Sequence, residues 1–69
     1  MKPIEYFKQH DKTHVSKVAK AAGTNFAYFE QLARGYRSPS LKLAKRLVEE
    51  TGGVVPLQEW IPELKSTVT

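Results

Sequence analysis

Residues 15–32 read VSKVAKAAGTNFAYFEQL, and the spacing inside this stretch decides the fold. Val15, Val18, Ala19 and Ala22 fall at i, i+3, i+4 and i+7, which is one face of an α-helix. Gly23 follows, at the point where a residue free to adopt positive φ ends such a run. Asn25 can cap a further helix, FAYFEQLARG, that stops at Gly35. Inside it Phe29 and Leu32, three apart, supply an apolar inner edge. The expectation is two short helices crossing through a turn of three or four residues, with the small Ala19 where they touch.

Outward from this pair the punctuation continues. Pro3 suits the first turn of an initial helix, in which Ile4, Tyr6 and Phe7 form an apolar patch ending near His10. Thr13 is expected to cap the second helix. Ser38-Pro39 is expected to open a fourth, with Leu41, Ala44, Leu47 and Val48 on one face, Leu43 beside it, and Gly52-Gly53 closing it. Around Pro56 to Ile61 a last short turn of helix would carry Leu57, Trp60 and Ile61, with a brief strand at Val54-Val55 as the alternative. The reading is all-α, a single compact five-helix domain over residues 1–65 with a frayed tail at 66–69.

Sixty-nine residues support only a thin core, and without cysteine no disulfide or thiolate–metal site reinforces it. The opening MKPIEYFKQH is too polar for a secretory signal, and no run of about 18 apolar residues occurs, so a cytoplasmic protein without a membrane partner is expected. The net charge of +4 is unevenly distributed. Between residues 12 and 46 eight lysines and arginines face Glu30 alone, a net +7, whereas residues 47–69 carry −3. A basic middle of this kind suggests a polyanionic partner.

The stretch VSKVAKAAGTNFAYFEQL resembles the helix-turn-helix of lambdoid phage repressors and Cro proteins, and of Cro/CI-type regulators generally, through Val18, Ala19, Gly23, Phe29, Leu32 and Gly35. The downstream RSPSLKLAKRLVEETGG is similar to the fourth helix of small Cro-like and YdaS-like regulators, so the resemblance spans about residues 13–61. It departs at Val15, where many members carry a phosphate-touching glutamine, and at Phe26, where members often carry a polar base-reading residue. The resemblance implies a lambda-repressor-like DNA-binding domain, with the motif at about residues 14–34, acting as a dimeric transcriptional repressor of phage or prophage type on a pseudo-palindromic operator. Alternatives are an antitoxin-type regulator that also binds a toxin, or a protein-interaction module that uses Phe26 and Tyr28 as an aromatic surface. RNA binding ranks lower, since no stacking sheet or glycine-rich clamp is visible.

With 100° per residue, Phe29, Leu32 and Ala33 of the third helix point inward, while Ala27, Glu30, Gln31 and Arg34 point outward, flanked by Phe26 and Tyr28. In a major groove Gln31 would pair bidentately with adenine and Arg34 with guanine or a phosphate. Ala27 and Phe26 would pack on a thymine methyl, and Glu30 would accept from cytosine or pair with Arg34. Thr24, Asn25, Tyr28, Tyr36, Arg37, Ser38, Ser40 and Lys42 are candidate phosphate contacts on one side, His14 and Lys17 on the other. Lys20, Lys45 and Arg46 read as ordinary solvated cations. Trp60 either finishes the core over the fourth helix or joins Leu57 and Ile61 in a homodimer contact. His10 and His14 lack a third ligand for a metal, and no phosphate loop, nucleophile elbow or HExxH occurs, so no cofactor, metal or catalysis is expected.

Overall fold

The computed structural model describes residues 1–61. They form five helices and, among the described residues, no strand: α1 Pro3–Gln9, α2 Lys12–Ala21, α3 Phe26–Ala33, α4 Leu41–Glu50 and α5 Leu57–Trp60. The end of the expected 1–65 unit and the 66–69 tail lie outside the described residues. None of the helices is long and apolar enough to cross a membrane.

Each boundary has a local cause. Asp11, not Thr13, caps α2: its Oδ1 accepts from the His14 amide at 2.8 Å, and Thr13 sits inside the first turn. A carboxylate is a charge-assisted acceptor for that amide, so the helix begins one residue before Thr13. Similarly, Ser40 caps α4 through Oγ, which accepts from the Leu43 amide at 3.2 Å, while Pro39 is buried ahead of the helix. Proline disfavours helical geometry in the residue before it, so Ser38 does not open the helix. Asn25 caps α3 as expected, its Oδ1 accepting from the Tyr28 amide at 2.8 Å.

The turn between α2 and α3 occupies residues 22–25. Gly23 takes φ +91°, its amide donating to the Lys20 carbonyl, while the Thr24 amide donates to that of Ala19. These two bonds satisfy two of the last carbonyls of α2 and reverse the chain within four residues, a geometry that needs left-handed backbone at Gly23. Gly35 ends α3 in the same manner, with φ +82°.

In space α1 packs on α3, α3 on α2, α2 on α4 and α4 on α5. Phe29, fully buried, is the centre of the core, among Tyr6, Val15, Val18, Ala19, Leu32, Leu47, Val55 and Trp60. Its ring lies 6.3 Å from that of Tyr6, 6.2 Å from Phe7 and 5.6 Å, edge-on, from Trp60. Such aromatic pairs add about 0.5–1.5 kcal/mol each beyond the burial of their area. Leu41 departs from expectation at 51% exposed. The inner stripe of α4 is centred on Ala44, Leu47 and Thr51, and Leu41 falls about a quarter-turn away from it. Thr51 is buried but satisfied, its hydroxyl donating to the Leu47 carbonyl at 2.8 Å. Val54 and Val55 form neither strand nor helix; Val55 enters the core from a bend ahead of α5.

Two outcomes follow. Phe29→Ala removes about 3–5 kcal/mol, against a total of about 3–10 kcal/mol for a chain this size, so the variant should lose about a third or more of its stability, read as a lower urea midpoint by circular dichroism at 25 °C. Burial also pushes the Tyr6 phenol above its ordinary 10.0. A raised folded value means this contribution to stability is intact below the ordinary value and is lost as pH climbs through the folded one. Alkaline unfolding followed by circular dichroism should therefore begin at higher pH in Tyr6→Phe than in the parent.

Candidate nucleic-acid interface

The outer face of α3 is the candidate site, and the capping at Asn25 and Gly35 fixes its length at eight residues. Phe29, Leu32 and Ala33 are buried, so Ala27, Gln31 and Arg34 face away from the core, as expected. Ala27 and Arg34 are exposed; Glu30 and Gln31 are partly so. Ala27 at the centre leaves the N-terminal half of this face without bulk.

The flanks are less free than the sequence suggests. Phe26 is half-buried, its ring 5.5 Å from Phe7 of α1 with the Lys12 ammonium 5.3 Å from its centroid. Arg34 donates through Nε to Glu30 Oε2 at 3.0 Å, and its guanidinium lies 5.7 Å from the Phe7 ring. Both side chains are well exposed, so this pair contributes only about 0.3–0.5 kcal/mol. It does, however, neutralise the only carboxylate between residues 12 and 46. On the opposite flank Arg37 donates through Nε to Gln31 Oε1 at 2.6 Å, and its guanidinium lies 5.9 Å from the Tyr28 ring.

Beside this flank lies an open cleft of about 330 Å³, lined by Ala22, Gly23, Thr24, Tyr28, Ser40, Lys42, Leu43 and Arg46. Thr24, Tyr28, Ser40 and Lys42, separate in sequence, are thus brought together. Arg46 joins them, although its sequence setting reads as an ordinary surface cation. A β-carbon placed on Gly23 would lie 3.5 Å from Arg46 Nη1, so the guanidinium leans over the α2–α3 turn. The signal that could have found it is spacing: Arg46 lies one helical turn beyond Lys42. No carboxylate lines the cleft, and neither cation has a carboxylate within bonding distance among the described residues. Such a surface favours an anion.

The remaining candidates scatter. Tyr36, 75% exposed, Arg37 and Ser38 belong to the α3–α4 connection, and Asn25 keeps an exposed amide beyond its capping oxygen. Lys17 is exposed on α2. His14 is drawn toward α1: its Nε2 and the Tyr6 hydroxyl are 2.7 Å apart, and its ring stacks on His10 at 4.2 Å. Trp60 does not form an exposed apolar cluster with Leu57 and Ile61; it is 3% exposed and packed on Phe29. Leu57 and Ile61 are half-buried against the same core.

Compared with protein-family models, curated proteins and solved structures, the chain matches none.

Because Asn25 alone supplies a side-chain acceptor at the start of α3, Asn25→Ala should cost about 1 kcal/mol. Urea denaturation would measure the loss, and amide exchange at Tyr28 should accelerate relative to Leu32.

Proposed function

We propose that the protein is a sequence-specific, double-stranded-DNA-binding transcriptional regulator of the helix-turn-helix kind, closest in character to Cro-like repressors. In this reading α2, the turn and α3 are the motif, and α3 lies in the major groove. A major groove about 12 Å wide admits one α-helix, and N-terminal residues of that helix reach the base edges. Ala27, Gln31 and Arg34 are then the readers, with Glu30 held by Arg34 away from the phosphates. Phe26 contributes only the exposed part of its ring.

The observation that carries the reading is the neighbourhood of the α3 outer face. It adjoins a cleft bearing Lys42 and Arg46 with no acid in its lining. Thr24, Tyr28, Ser40 and Lys42 would hold the sugar–phosphate backbone there with Arg46, and Asn25, Tyr36, Arg37, Ser38, His14 and Lys17 are the outlying contacts. Backbone contacts fix register, and the α3 face then supplies sequence discrimination. Binding of this kind needs no cofactor and no catalysis. Two copies would address two half-sites about 34 Å apart, with Leu57 and Ile61 the candidate dimer contacts. The aromatic docking alternative requires free Phe26 and Tyr28 rings, whereas Phe26 is engaged by Phe7 and Lys12, and Tyr28 by Arg37.

The test is a duplex selected from a random library by the purified protein, followed by titration against it and a scrambled duplex. Affinity should fall about 10³-fold or more between 50 and 200 mM salt if six or more phosphates are neutralised. Gln31→Ala should lose about 1–3 kcal/mol on the selected duplex and little on the scrambled one. No enriched sequence, or binding indifferent to salt, rejects the proposal.

A further inference from the structure

The contact between Arg37 and Gln31 bears on which base the α3 face would read. A glutamine amide on its own offers an acceptor and a donor side by side, the pattern that complements adenine. Here the acceptor is engaged. Arg37 Nε can only donate, so the atom of Gln31 that it meets at 2.6 Å must be the carbonyl oxygen Oε1. That contact settles the orientation of the amide: Oε1 faces the α3–α4 connection, leaving the Nε2 hydrogens as the end available to a partner. The guanidinium is steadied in turn by the Tyr28 ring, 5.9 Å from its carbon. Oε1 retains a second lone pair, but a donor approaching it comes alongside the remaining guanidinium N–H groups, donor against donors.

We infer that Gln31 and Arg37 act as one donor-only unit that selects guanine, through its O6 and N7 acceptors, over adenine, whose N6 amino group would meet like donors. Arg37 is the positioning residue of this unit, so its effect runs through Gln31 and is not that of a phosphate contact alone. The inference rests on the DNA-binding reading and replaces the adenine pairing expected of an isolated glutamine.

Selection from a random duplex library by the parent, Gln31→Ala and Arg37→Ala tests it. All three should fold, since Arg37 is exposed and Gln31 lies on the outer face; thermal melts of each check this. The position relaxed in Gln31→Ala should be guanine in the parent's motif. Replacing that guanine with 7-deazaguanine, which keeps O6 but lacks the N7 acceptor, should weaken the parent about 2- to 10-fold, the range for one hydrogen bond. In Arg37→Ala the freed amide should shift preference at that position toward adenine, a change that loss of a phosphate contact would not produce. Adenine there in the parent, an unchanged preference in Arg37→Ala, or a parent motif that Gln31→Ala leaves intact each overturns the inference while leaving DNA binding standing. A folded protein that enriches no sequence removes both.

Discussion

The Phe29 ring is the constraint on which the arrangement depends. It projects from α3 into the rings of Tyr6 and Phe7 on α1 and Trp60 on α5, fully withdrawn from water. Among the described residues there is no second core to compensate. Because the buried edge of α3 is fixed by this one side chain and by Leu32, the opposite edge is fixed as well: what Ala27, Gln31 and Arg34 face is decided by where Phe29 points.

The α2–turn–α3 unit was legible because its signals reinforce one another. Apolar spacing, a glycine at positive φ and an asparagine cap all specify the same reversal, so an error in one would have been exposed by the rest. The entries to α2 and α4 were less so. Asp11 and Thr13, or Ser38 and Ser40, are each chemically fit to cap a helix, and the choice depends on which backbone amide comes within reach. Leu41 shows a different limit: a leucine in sequence register with a helical stripe can still lie at its margin, since 100° steps drift from the centre of burial. Trp60 was undecidable between core and surface, because only packing against Phe29 tells the two apart.

The site divides along the same line. Which α3 residues face outward follows from periodicity alone. Which of those are engaged by neighbours does not, because Arg37 reaches Gln31 from beyond the helix end and Arg46 reaches the α2–α3 turn from the middle of α4. Long, flexible cations are the side chains whose destinations sequence spacing constrains least. Here they set the character of the surface: one carboxylate neutralised, one amide oriented, and a cleft left with positive charge unopposed.

The chain has a single tryptophan, seated edge-on against Phe29 with its indole N–H meeting no acceptor among the described residues. An indole in so dry a setting emits at shorter wavelength than one in water. The protein therefore carries an intrinsic optical gauge of whether the α5 indole remains seated on Phe29, readable without any attached dye and placed on the buried side of α3, not on the face proposed to meet DNA.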